Sequence, residues 1–371
     1  MAAKDTGRAA RGPPRARRTS DPRPRGGAAR RPGVNMGVMV RRPIALLAVA
    51  GMLAAVFALT ALTGGRFTSY SGGDGSLTVS PGRWWTLWAV PPLEVIAILA
   101  GVGYLALGAR RRGALTQGLA WTLASGAALL LISVCSPLAG LSQGGILAAH
   151  MLQHTLIGAF APAAILMALP RRIRGEGPPP HPVLRALGHP VAAFLLWAGL
   201  TVVWLLPAIH HPVLEHETLW VAQQFAFFAT GCLLWMPVLE RGVDVPAWFG
   251  TGAKVFYMVG VWFVGVIIAN VYWFSGTAFY ASHANAARVW GLDPLADQAN
   301  AGTVMVTMHC FLTLTAVTWL FFRQAHESGL AQRLRDAGVD DTQVDDALRR
   351  GELDDLARRR GVPVTVRAGI D

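Results

Sequence analysis

The sequence predicts an all-α, polytopic integral membrane bundle of about eight transmembrane helices, with both termini cytoplasmic. Three observations carry that reading. Apolar residues come in blocks of about twenty with few or no charges, each long enough to cross ~30 Å of hydrocarbon at ~1.5 Å per residue. The 371-residue chain is 53% hydrophobic and only 15% charged, which argues against a soluble enzyme with a single compact core. Finally, the basic residues alternate. They crowd into residues 1–42, 110–114 and 170–189, with Arg241 in 239–252, whereas the connections 64–85, 136–143, 209–216 and 275–298 hold only Arg66, Arg83 and Arg288. Positive charge stays on the cytoplasmic side, so the first set is inside and the second outside.

The elements follow in order. Residues 1–42 are rich in Arg, Pro, Gly and Ala and nearly lack large apolar residues, the composition of a disordered basic tail that anionic lipid attracts. Residues 43–83 make an extra transmembrane helix at 43–63 and an outer loop; a signal peptide is the competing reading, but its apolar core is usually shorter. Further spans are expected at 86–109, 115–135, 144–169, 190–208, 217–238, 253–274 and 299–322. In lipid every backbone polar group needs an internal partner, so each block is read as a helix. Residues 323–371 mix Arg with Asp and Glu around small apolar stripes (Leu330, Leu334, Val339), which reads as a cytoplasmic tail of short helices. Cys135, Cys232 and Cys310 have no paired spacing, which rules out a disulfide scaffold and a thiolate zinc site.

Polar groups inside spans are costly and each needs a reason. Glu94, His150, His154, Gln223, Gln224, Asn270, Asn300, Thr303 and His309 fall roughly 6 to 15 Å below the outer boundary at ~1.5 Å per residue, in one leaflet. The inner halves of the same spans carry almost none. In HMLQH, His150 and His154 stand at i, i+4 and share a helical face, where two neutral imidazoles can hold one metal ion. Met305 and His309 have the same spacing, and Met151 lies one turn from His154. Thioether plus imidazole suits copper, Cu(I) above all. The expected metal residues are therefore His150, His154, Met151, His309, Met305 and Glu94, with copper as a transient occupant and Glu94 as a counter-charge.

Plainer readings stand beside each. Membrane histidines and glutamines also serve as interhelical hydrogen-bond partners. Methionines in apolar spans pack, and loop histidines such as His210 and His211 are more often solvated than ligating. Glu94 admits protonation or a surface pairing with Arg83. Trp84, Trp85, Trp88, Tyr272, Trp273 and Phe274 fall at outer span ends, as an interface belt. No HExxH and no carboxylate cluster points to hydrolysis.

The runs WWTLWAVPPLEVIAILAGVGYLALGARRR and SPLAGLSQGGILAAHMLQHTLIGAFAPAAILMALP resemble the CtaG family of bacterial assembly factors for caa3-type cytochrome c oxidase. FFATGCLLWMPVLE and FYASHANAARVWGLDPLADQANAG support the match, in the right order. The resemblance covers residues 84–322 and implies a seven-helix membrane domain there, with the N-terminal span as an addition. It further implies a non-catalytic protein of the cell membrane that works with cytochrome c oxidase subunits and handles copper for the oxidase's outward centres. No nucleic-acid partner is expected. The family's HMxxH maps onto His150, Met151 and His154; Gln223 and Gln224 stand where members carry Glu-His, a departure that removes one imidazole. The competing functions are a copper transporter, a haem-binding electron-transfer protein with His154 and His309 as axial ligands, and a metal-free structural scaffold.

Overall fold

The computed structural model describes residues 81–364 apart from residue 89, residues 112–114 and residues 170–178. The basic tail 1–42 and the span expected at 43–63 lie outside the described residues. Among the described residues every regular element is a helix: α1 (Pro92–Arg111), α2 (Gln117–Cys135), α3 (Pro137–Gln143), α4 (Leu147–Met167), α5 (Pro182–Leu187), α6 (Pro190–Leu205), α7 (Pro207–Glu215), α8 (Glu217–Leu239), α9 (Thr251–Phe274), α10 (Ala281–Val289), α11 (Pro294–Asp336), α12 (Asp341–Arg350) and α13 (Leu353–Arg359). A short 3-10 turn, Pro81–Thr86, precedes them.

Five of these helices, α2, α4, α8, α9 and α11, are long and apolar enough to cross a membrane, and α6 with α7 makes a sixth if the bent pair is one span. The chain is a multi-pass helical membrane protein. Its outer surface bears this out, since Phe256, Phe274, Phe321 and Trp121 present their rings outward where lipid replaces water.

Local chemistry sets the helix ends. Thr116 accepts the Leu119 N–H at the start of α2, and Ser136 closes α2 while capping α3. The block expected as one span at 190–208 is cut instead. Leu206 is extended because Pro207 follows it, and α7 leaves α6 at 71°. The block at 299–322 grows in both directions into the 43-residue α11, started by Asp293 and passing without a break into the tail. The tail itself folds: Leu330, Leu334, Val344, Ala347, Leu353 and Ala357 from α11, α12 and α13, with Val339 from the turn after α11, form their own small core.

Midway along α4, residues Leu156–Phe160 widen into a π turn. Pro162 explains it, since it has no N–H for the carbonyl four residues back, that of Gly158. The Trp235 indole N–H from α8 donates to the next carbonyl, Ala159, at 2.8 Å. Here α4 and α8 touch backbone to backbone, because a Cβ on Gly231 would come within 2.0 Å of the Gly158 oxygen. Below this contact the packing is apolar, with Leu166, Trp197, Leu234, Val238, Met258 and Leu312 in one cluster. At the helix ends beneath it, Glu240 terminates α8 in the left-handed region at φ 58° and pairs with Lys254 and with Arg323, the latter at 3.1 Å. Above the π turn the polar residues begin.

A buried cluster of four histidines

The first turn of α4 has no cap of its own, because Ile146 offers no side-chain acceptor. Asp297 from α11 supplies one, accepting the Leu147 N–H at 2.8 Å and the Ala148 N–H at 3.3 Å. This fixes where the next turn projects its side chains. His150 and His154, both buried, meet through their Nε2 atoms at 2.6 Å.

Two further imidazoles close on them from segments that cap this end of the bundle. His210 comes from α7, which the Leu206–Pro207 break turns back over the bundle, and is 0% exposed; His283 comes from α10 and is 3% exposed. Their Nε2 atoms lie 2.8 Å apart. The His150 ring centre is 4.9 Å from that of His210 and 5.7 Å from that of His283. Trp220 at 5.2 Å from His150, Phe227 at 4.2 Å from His154 and Tyr280 at 4.5 Å from His210 wall the group in. Tyr280 is held in turn by donating to the Leu205 carbonyl at 2.6 Å and by the Tyr272 hydroxyl at 2.9 Å.

A chain of hydrogen bonds dictates the tautomers. The Gln153 amide donates to the Ser133 carbonyl at 2.7 Å, so its oxygen is the acceptor for the Ser142 hydroxyl at 2.6 Å. Having spent its proton, Ser142 Oγ accepts at 3.0 Å from His150 Nδ1–H. That leaves the lone pair of His150 on Nε2. His283 follows the same pattern: its Nδ1–H donates to the Gly145 carbonyl at 2.5 Å, again placing the lone pair on Nε2. Gly145 sits at φ 91°, and a Cβ there would meet Ala286 at 2.8 Å, so the turn that offers this carbonyl requires glycine. Burial pulls the His283 pKa down to about 4, against the Gly145 carbonyl, so the ring is neutral at physiological pH.

Opposite these anchored rings, several buried polar atoms lack hydrogen-bond partners: His154 Nδ1, His210 Nδ1, and both amide atoms of Gln223. The Trp204 carbonyl lies beside His210. Gln223 is 0% exposed and lies on α8 between Trp220 and Phe227, on the face that meets His150 and His154. Among the described residues no three His, Cys, Asp or Glu side chains form a ready metal-ligand set. The four rings stand as two hydrogen-bonded pairs.

The other residues expected at the site have different neighbours. Met151 and Met305 pack with Leu147, Ile268, Tyr272, Tyr280 and Ala301 in one apolar cluster. His309 Nδ1 bonds the Met305 carbonyl of its own helix at 2.7 Å, and its ring fits the notch at Gly265 with Trp197 5.9 Å away. Glu94 interacts electrostatically with Cys135 on α2. Asn270 donates to the Val266 carbonyl within α9. The expectation of solvated loop histidines fails for His210, whose helix folds inward instead of arching into water. The signal lay in the sequence: Pro207 three residues before His210 marks the turn-back, and His283 stands inside the FYASHANAARVW run.

A helical membrane protein with one apolar half and an enclosed imidazole cluster at the other ends of its helices is the class that fold and site define. The chain belongs to the caa3 assembly-factor family Caa3_CtaG (cytochrome c oxidase caa3 assembly factor), whose sequence profile matches residues 101–327. All four clustered histidines lie within that match, and Glu94 lies before it. Neither the curated proteins nor the solved structures contain a match to the chain. Its role is in assembly of cytochrome c oxidase, with which it associates.

Proposed function

We propose that this assembly factor carries copper as transient cargo on the face formed by His150 and His154 and passes it to an outward copper centre of the oxidase. The observation that supports this reading is the facing pair of Nε2 atoms in a buried setting, with partnerless polar atoms at His154, His210 and Gln223 around it. Buried polar groups without partners are rare in folded proteins, and a bound ion is one of the few things that account for several at once. Neutral imidazole is a good copper ligand. A metal–nitrogen bond of about 2 Å needs the two nitrogens further apart than 2.6 Å, which a modest swing of either ring provides. The thioethers of Met151 and Met305, packed against tyrosine and leucine, serve the fold in this reading, as does His309.

The same reading places the protein in the cell membrane with both termini cytoplasmic, the arrangement the alternating basic connections favour. The histidines then face the side on which the oxidase presents its copper centres.

The experiment is the double variant His150→Ala with His154→Ala, expressed in cells that depend on the oxidase. The expected result is a folded, membrane-inserted protein that retains no copper and leaves the oxidase depleted of it. Full copper content in the oxidase of that strain would refute the mechanism. Copper uptake into vesicles by the wild-type protein would favour a transporter instead.

A further inference from the structure

The structure assigns His210 and His283 to the same metal site as His150 and His154: we infer that one copper ion is held by imidazole nitrogen alone, with Ser142, Gln153 and the Gly145 carbonyl as positioning groups. The inference rests on the copper reading given above and specifies its ligand set.

Four observations carry it. The four rings form one contiguous, buried group, although they come from three separate stretches of chain. Two of the rings are anchored in the way metal-ligating imidazoles are anchored, each donating its remote N–H to a fixed oxygen: His150 to Ser142, itself tied to Gln153 and the Ser133 carbonyl, and His283 to Gly145. Their lone pairs are thereby aimed inward. The other two rings, His154 and His210, point Nε2 at those lone pairs and have unbonded Nδ1 atoms. Each can turn its lone pair to an ion by moving its single proton from Nε2 to Nδ1. No ring loses a proton, and the total charge of the four ligands stays zero. Finally, the Gln223 amide, fully buried beside the pair and without a partner, offers an oxygen to an Nδ1–H created by that shift.

No sulfur enters this set. Met151 packs with Met305 and Tyr272 in their own apolar cluster, Cys135 lies beside Glu94, and Cys232 packs against the core below the π turn. An all-nitrogen site accepts Cu(II) as well as Cu(I), in contrast to a thioether site, which favours the reduced ion.

The test uses the purified full-length protein in detergent. Cu(II) sulfate is titrated in, and electron paramagnetic resonance then counts the nitrogens coupled to the copper. Cu(I) is supplied separately from a weak chelator to measure affinity. The expected result is one copper per chain, three or four coupled nitrogens, and a loss of at least tenfold in affinity for His210→Ala and for His283→Ala. Met151→Leu with Met305→Leu is expected to bind as the wild type does. Ser142→Ala is expected to weaken binding by roughly 10- to 100-fold, the usual effect of removing a group that orients a ligand. Copper bound through only two nitrogens, with His210 and His283 dispensable, overturns this inference and leaves the copper reading standing. A wild-type protein that binds no copper overturns both. The nitrogen count needs no variant, so it decides the matter even if a substituted protein fails to fold.

Discussion

The Nε2 atoms of His150 and His154 lie 2.6 Å apart, so a single proton joins two rings that α4 places one turn apart. Because Ser142 fixes the His150 tautomer, that proton belongs to His154. His154→Ala therefore leaves a buried lone pair on His150 with no donor, and the thermal midpoint in detergent is expected to drop by the equivalent of about 1–3 kcal/mol. His154→Gln, which can still present an amide N–H, is expected to recover part of that loss. Equal midpoints for the two variants would show that the ring contributes by packing alone.

Asp297 reaches across from α11 to cap a helix that has no cap of its own. Asp297→Ala is expected to cost about 1–2 kcal/mol, by loss of two backbone partners and of a favourable charge at the α4 N-terminus. Copper retention is expected to fall as well, since the same turn sets the height of His150. A variant as stable as the wild type would mean that water caps α4 equally well.

The π turn depends on one close contact. Gly231→Ala drives a Cβ into the Gly158 oxygen, a backbone atom that cannot step aside, and overpacking of this kind typically costs about 1–3 kcal/mol. Trp235→Phe keeps the ring but removes the N–H that satisfies Ala159, at a cost of about 1 kcal/mol. Thermal unfolding of both variants, compared with Gly199→Ala where the added methyl meets nothing within 4 Å, separates the contact from general glycine effects.

Glu240 holds two cations, the buried Lys254 and the partly buried Arg323. Glu240→Gln removes this shared counter-charge, although Arg323 keeps Glu327 at 3.0 Å, and is expected to destabilise the protein by about 1–3 kcal/mol, less than for a fully enclosed pair because Glu240 itself reaches solvent. Glu240→Gly relieves the left-handed backbone yet loses the charge. If it proves as stable as the wild type, strain rather than pairing dominates this corner.

The carboxylate of Asp340, which starts α12, is held below its ordinary pKa first by the Thr342 hydroxyl and then by backbone N–H groups. A depressed carboxylate contributes stability that is complete above its unfolded pKa of 3.8 and is lost as pH falls through the lower folded value. Amide-exchange protection at Gln343 and Val344, normalised to intrinsic rates, is expected to decline below about pH 4. Asp340→Ala should abolish that decline; an unchanged pH profile in the variant would exclude the cap as its cause.

The sequence displayed the helices well because hydropathy and span length are local quantities. It also displayed the His150–His154 face, since i, i+4 spacing alone decides which side chains share a turn. What it hid depends on distant parts of the chain meeting. Pro207 announced a break, but not that α7 would fold His210 back onto α4. His283 reads as a loop residue until Gly145 and Ala286 are seen packed together. Spacing also misdirects: Met305 and His309 have the helical interval of a ligand pair, yet one packs against Met151 while the other fills the groove at Gly265. Periodicity specifies a face without naming what that face meets.

α11 is one continuous hydrogen-bonded helix of 43 residues, about 65 Å long, with Asp297 at one end and Leu334 at the other. The first of these residues fixes the turn that bears His150, and the second belongs to the tail's own core. A protein that gripped the tail and twisted it would therefore be turning a shaft whose far end carries the clamp on the imidazoles, so mechanical work applied to the tail has a solid route to the histidine end of the bundle.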